Sequence, residues 1–276
     1  MDFAGVLNAI ESRVPVDDDT YTGDDGLLYC SRCNTPRQCI DTVFRIGRKV
    51  PCVCKCIKER MDKEEAERQR QREFQEIQRF RNMGFPDREL QNNTFQNDDG
   101  ARPELTKAMK AYVENFQTLR KDAKGLLLYG PVGTGKSFLA ACVVNALIDR
   151  GHPCLMTNFS RLTNEISGMW EGKQEYLDGL GRFSLVAIDD LGVERDTEYM
   201  NENITTIIDS LYRSNVPVII TSNYTPKQLT EDCEIRKKRV YDRLLERCHP
   251  IKVDGASRRM EMGRQDYNTM KDLLGV

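Results

Sequence analysis

Nothing in the chain approaches the run of about 18 apolar residues that a membrane-crossing helix needs, and the opening Met1-Asp-Phe-Ala-Gly5 has acidic rather than basic flanks. A membrane span and a secretory leader are therefore not expected, and the sequence predicts a cytoplasmic protein with no membrane partner. Excess positive charge is missing too: 41 Lys and Arg stand against 43 Asp and Glu, for a net charge of −2. Contact with nucleic acid then has to come from a local patch rather than from bulk charge. No internal repeat is evident, so a repeat array is not expected either. What remains is a chain of 276 residues, enough for one large domain and a small one.

The order of segments supports that division. Residues 1–29 are acidic and punctuated by Gly23 and Gly26, and read as a loosely ordered lead-in. Residues 30–57 are crowded with cysteine. From Lys58 to Arg81 the chain is charged and free of Gly and Pro. Glu59/Lys63 and Glu64/Arg68 stand at helical i,i+4 spacing there, and Phe74, Ile77 and Phe80 form the only apolar edge. Beyond Thr106, helix and strand patterns alternate. Helices are expected over 104–120, 138–148, from about Ser160, over 200–213 and over 234–247, and strands over 125–129, 153–157, 183–188 and 217–221. Short, nearly uniform apolar strands between helices predict an α/β fold with a parallel sheet covered on both faces. The expected division is a cysteine-rich module at 1–57, a charged helical linker at 58–94 and a large domain at 95–276.

The most informative segment is Gly130, Pro131, Val132, Gly133, Thr134, Gly135, Lys136 and Ser137, a complete G-x-x-x-x-G-K-[ST] phosphate loop between an apolar strand and a helix. The glycines allow a turn tight enough for successive N–H groups to converge on an anion at a helix N-terminus. Lys136 suits the β- and γ-phosphates, and the Ser137 hydroxyl suits Mg²⁺. Phe138, the next residue, completes the candidate nucleotide-contacting set. ATP and Mg²⁺ are the implied ligands.

The strand at 183–188 ends in Asp189 and Asp190. A carboxylate at such a strand end holds the Mg²⁺ shell in phosphate-loop proteins, a role assigned to Asp189, and leaves Asp190 as the base that orients water. Asn223, following the next apolar strand, is placed to position that water through its amide. Arg236, Arg239, Arg243 and Arg247 share one helix face, either as a solvated basic surface or as a source of an arginine reaching a neighbouring subunit's γ-phosphate. Arg258 and Arg259 offer another guanidinium for the nucleotide.

Six of the ten cysteines fall between Cys30 and Cys56, whereas Cys142, Cys154, Cys233 and Cys248 are scattered. In a reducing compartment the cluster points to metal rather than disulfides. Cys30 and Cys33 form a C-x-x-C turn, and Cys52, Cys54 and Cys56 supply two further thiolates. Four of these five suit a structural, tetrahedral Zn²⁺, with an iron–sulfur cluster as the competing chemistry and Cys39 as a spare. The stretch 45–48 is expected to turn a small ribbon between the two groups.

Together, the phosphate loop, Leu185-Val-Ala-Ile-Asp-Asp-Leu-Gly192, Ile219-Ile-Thr-Ser-Asn223, Arg239-Val-Tyr-Asp-Arg243-Leu-Leu-Glu-Arg247 and Gly255-Ala-Ser-Arg-Arg259 resemble the AAA+ ATPases, and specifically the DnaC/DnaI helicase-loader and IstB family. The resemblance covers about residues 95–265. It implies an AAA+ nucleotide-binding fold, Asn223 as sensor 1 and Arg243 as the arginine finger, with Arg239 the second candidate. It also implies Arg259 as sensor 2, with Arg258 the alternative. By the same resemblance the zinc module grips a replicative DNA helicase, the ATP state is a homo-oligomer, and single-stranded DNA is a ligand, with Phe159 and Arg161 as candidate contacts. A transposase-helper ATPase of the IstB kind and a nucleotide-gated adaptor are the competing functions. Asp190 replaces the Glu usual in AAA+ proteins, one methylene shorter, which predicts slow hydrolysis.

Overall fold

The computed structural model describes residues 19–41, 48–169, 171–192, 197–231 and 235–258, with 267, 270, 271, 273 and 274; of 235–237, 239 and 240 it describes the backbone alone. The chain divides into two compact units, Met1–Phe74 and Gln75–Val276.

In the first unit, β1 (Thr20–Thr22) pairs antiparallel with β2 (Leu28–Cys30), and β3 (Gln38–Ile40) with β4 (Lys49–Pro51). Residues 19–29 are thus a hairpin rather than a loose lead-in. Asp25 sets its turn by accepting from the Leu27 N–H at 3.0 Å and from the Tyr29 hydroxyl at 2.8 Å. The stretch 45–48, expected to turn a ribbon between the cysteine groups, lies outside the described residues except for Arg48. Among the described residues of this unit, the only buried apolar side chains are Cys30 and Cys54.

Helix α1 (Lys55–Gly84) starts inside the cysteine module, three residues ahead of the expected linker. Residues 58–76 are all exposed, as the charged composition requires. Its described ion pairs within the helix are Lys55–Glu59 and Arg60–Glu64, Arg68 turns to the Glu64 backbone carbonyl, and Arg81 near its end pairs with Asp149. The expected 58–94 linker also extends too far. Ile77, Phe80, Phe85, Leu90 and Phe95 pack in or against the core of the second unit, so the chain joins that unit from Gln75 onward.

That unit is built on a parallel sheet in the order β6-β7-β8-β5-β9, with β5 at Gly125–Tyr129, β6 at Cys154–Asn158, β7 at Leu185–Leu191, β8 at Val218–Ser222 and β9 at Cys248–Lys252. Alternate residues of each central strand serve opposite faces. Leu126, Leu128, Leu185, Ala187 and Ile219 join one core with α2 (Pro103–Glu114) and α4 (Lys136–Ile148). Leu127, Val186, Ile188, Val218 and Ile220 join the other, with α5 (Phe159–Ser167), α6 (Lys173–Leu180), α7 (Glu198–Arg213) and α9 (Ile235–Arg247). The sheet covered on both faces is the expected α/β architecture.

Several details differ from expectation. The helix predicted over 104–120 breaks at Asn115 into α2 and α3 (Phe116–Lys121). The strand predicted to end at Ile188 continues to Leu191, through an irregularity where Asp190 takes a left-handed φ of 58°. Helix α6 and strand β9 carried no expectation. Among the described residues β9 pairs with β5 alone, and its Pro250, unable to donate to a ladder, is tolerated at this edge. Short α8 (Pro226–Glu231) and a 3-10 turn at Arg88–Asn92, likewise without expectation, complete the described helices of 75–258. No helix among the described residues is long and apolar enough to cross a membrane.

Candidate nucleotide site and cysteine cluster

The strand order assembles the site. β8 lies between β5 and β7, so the loop after β5, the acids at the end of β7 and the residues after β8 emerge side by side. Gly133 and Gly135 have φ of 80° and 89°, which lets the loop fold tightly into the N-terminus of α4. Thr134 closes it, its hydroxyl donating 2.9 Å to the Pro131 carbonyl, while Pro131 and Val132 form an exposed tip. Lys136 is only 5% exposed. Its ammonium donates to the carbonyls of Gly130 (2.9 Å) and Pro131 (2.8 Å) and to Asn223 Oδ1 (2.8 Å). The loop lysine and the candidate sensor therefore meet directly.

Asp189 is half-buried, and burial raises its carboxyl above the ordinary aspartate value, opposed by hydrogen bonds from Thr221 and Ser137. Thr221 donates to Asp189 Oδ1 at 2.6 Å and accepts from the Asp190 N–H at 2.9 Å. One hydroxyl thus fixes both acids, a role that sequence reasoning missed; the only signal was its place at the end of the neighbouring apolar strand. Asp190 is exposed. Ser137 and Asp189 form a pair of hard oxygen ligands of the kind Mg²⁺ takes.

The closing segment lies on the loop. The Arg258 N–H donates 2.9 Å to the Gly133 carbonyl, and its guanidinium carbon stands 4.6 Å over the Phe138 ring. Asp98 and Asp99 hold that guanidinium, and Arg258 in turn keeps the Asp99 carboxyl below its usual range. Arg259, the expected sensor 2, lies outside the described residues.

Arg243 is away from this cluster. It pairs with Asp209 on α7, and its guanidinium stands 5.7 Å from the Tyr212 ring, where Arg247 also packs at 3.7 Å. α9 leads directly into β9, whose first residue pairs with Gly125 at the start of β5, so Arg243 sits toward the sheet end opposite the loop. The side chain of Arg239 is not among those described. Phe159 is fully buried in the core, because the first residue of α5 turns inward beneath the sheet, and this corrects its reading as a candidate contact to single-stranded DNA. Arg161 is exposed and pairs with Glu165.

In the first unit, the Sγ atoms of Cys30, Cys33, Cys54 and Cys56 all lie within 4.8 Å of one another. Cys56 Sγ is 3.6 Å from Cys30 Sγ and 3.4 Å from Cys54 Sγ. A tetrahedral zinc with bonds of about 2.3 Å places its sulfurs about 3.8 Å apart, so the four thiols fit that ion. Cys52, the fifth candidate, turns away, its Sγ 3.3 Å from the Pro36 carbonyl, and Cys39 is exposed.

Residues 52–266 match the family described as IstB-like ATP binding protein. The chain belongs to that family. Within this AAA+ lineage it is 27% identical over 181 residues to the replicative helicase loader DnaI of Bacillus subtilis, covering 60% of this chain and 58% of that protein. It is 27% identical over 162 residues to the replicative helicase loader DnaC of Escherichia coli, covering 56% and 63%. An ATP-binding protein in an insertion sequence of Mycobacterium tuberculosis is 28% identical over 177 residues, covering 60% and 68%. The chain thus spans about three-fifths of the length of the two loaders. A crystal structure of DnaI superposes with a TM-score of 0.52 at 26% identity, covering 64% of this chain and 95% of that one. The IstB-like family and the phosphate loop identify the second unit as an ATP-binding engine.

Proposed function

We propose that this protein is an ATP-dependent loader that delivers a hexameric replicative helicase to single-stranded DNA. The observation that carries the reading is the meeting of Lys136, Asn223, Ser137, Asp189 and Thr221 at one end of the sheet, in a chain similar to DnaI and DnaC. When bound, Mg²⁺ would supply charge neutralisation to the triphosphate. Ser137 and Asp189 would hold it, and Thr221 keeps the Asp189 carboxylate turned toward Ser137. Lys136 carries charge to the phosphates, Asp190 accepts the proton of the attacking water, and Asn223 orients that water. Arg243 acts on a neighbouring subunit's ATP, which makes turnover slow until an oligomer forms, and Arg259 contacts the nucleotide of its own subunit.

Zn²⁺ on Cys30, Cys33, Cys54 and Cys56 stabilises the first unit, which holds the helicase. That module favours a loader over a transposase helper, because a helper has less need of a helicase-docking unit. The insertion-sequence relative favours the second reading, an IstB-like ATPase acting on DNA for a transposase. The two are separated by mixing the full chain and ATP with the replicative helicase or with the transposase of its host, and measuring the mass of the complexes by light scattering. A stable helicase complex supports the loader. Association with the transposase alone replaces it with the second reading.

A further inference from the structure

Two guanidinium groups reach the phosphate loop from outside it. A side-chain carbon at Gly135 would meet Arg258 Nη1 at 3.2 Å and Arg102 Nη1 at 3.5 Å. The two cations are not equivalent. Arg258 donates from Nε to Asp99 Oδ2 at 2.8 Å and lies 3.1 Å from Asp98 Oδ1, so two carboxylates outweigh its charge. Arg102 stands just ahead of Pro103, the first residue of α2. Its Nη2 donates 3.1 Å to the Ala256 carbonyl, and among the described residues it makes no ion pair. A backbone carbonyl takes one of the five guanidinium N–H donors and cancels none of the charge.

We propose that Arg102 is a nucleotide ligand whose guanidinium binds α- and β-phosphate oxygens of the nucleotide held by the loop 130–137. The proposal rests on the nucleotide-binding reading of that loop. The loop's backbone N–H groups cradle the α- and β-phosphates, while the lysine after Gly135 reaches the β- and γ-phosphates. A guanidinium beside Gly135 serves the first pair, with a planar fork matched to phosphate oxygens. It also answers an electrostatic need. Asp98 and Asp99 place negative charge on the flank a polyphosphate must approach, and Arg258 is engaged with them. Arg102, which Asp99 and Asp254 feel through space but which neither holds in an ion pair, brings a further positive charge to that flank.

The test is calorimetric titration of the full-length protein with Mg-ATP and with Mg-ADP, using Arg102→Gln and Arg102→Lys. Gln keeps a donor for the Ala256 carbonyl and removes the charge, so a purely structural Arg102 leaves it binding like wild type. As a phosphate ligand, Arg102→Gln weakens ATP and ADP alike by about tenfold or more, with the nucleotide-free melting temperature unchanged, and Arg102→Lys recovers part of the loss. Unchanged affinity for both nucleotides in Arg102→Gln overturns the proposal, and so does a loss confined to ATP, which would place the contact at the γ-phosphate. Wild-type protein that binds neither nucleotide overturns the reading of the loop itself, a different result from an unaffected variant.

Discussion

Lys136 links the phosphate loop to the end of β8, and Thr221 links the two acids of β7 to the same strand. Lys136→Ala is expected to lower ATP affinity by about 100-fold or more, since it removes charge-assisted hydrogen bonds worth about 1.5–3 kcal/mol each. The fold should persist, which circular dichroism beside the titration checks; binding like wild type would refute the loop assignment. Thr221→Val keeps shape and deletes the shared hydroxyl. It should cost about 1–3 kcal/mol in stability and reduce turnover while ATP affinity stays within a few-fold, read by denaturant melts and steady-state hydrolysis. Asp190→Asn should bind Mg-ATP and lose turnover; loss of binding would instead make Asp190 a metal-shell residue. Lys136, Ser137 and Asp189 were legible because a phosphate loop fixes its geometry over eight consecutive residues and an apolar strand announces its acidic end. Thr221 was not, because its partners lie 31 and 32 residues away and meet it only through the β7–β8 pairing. Phe159 was misread because its inward direction depends on where α5 starts.

The cysteine module and the segment leading into the sheet act at the scale of elements. A unit whose only described buried apolar side chains are two cysteines lacks the core that a stable small fold requires. Full-length protein should therefore carry about one zinc per chain, and chelation should open residues 19–54 to protease while ATP binding survives. Elemental analysis finding no metal, or iron with a visible absorbance band, would contradict the zinc reading. Phe85, 2% exposed, belongs to the core of the second unit although it follows a charged helix. Phe85→Ala should cost about 3–5 kcal/mol, measured by thermal or denaturant unfolding; a cost under about 1 kcal/mol would restore 58–94 as a detached linker. The central strands were legible from apolar runs between helices. β9 was not, since His249, Pro250 and Lys252 break any apolar run and pairing with the edge of β5 makes them a strand.

At the scale of the whole molecule, the proposed loader couples an ATP-binding unit to a helicase and to DNA. Arg243, paired with Asp209 and far along α9 from its own loop, is expected to serve another subunit. Arg243→Ala should bind ATP normally and fail to hydrolyse it, and mixing it with Lys136→Ala should restore part of the turnover. A mixture that co-assembles and stays inactive would transfer the role to Arg239 or remove it from this helix. The central claim is loading, and it is tested most directly on closed circular single-stranded DNA, which a preformed helicase ring cannot thread from an end. Helicase retained on the circles is measured with wild-type protein and ATP, with Lys136→Ala, and without the protein. The account predicts retention with wild-type protein and ATP alone. Equal retention in all three reactions, or none in any while the transposase of the host is captured on DNA, would contradict it.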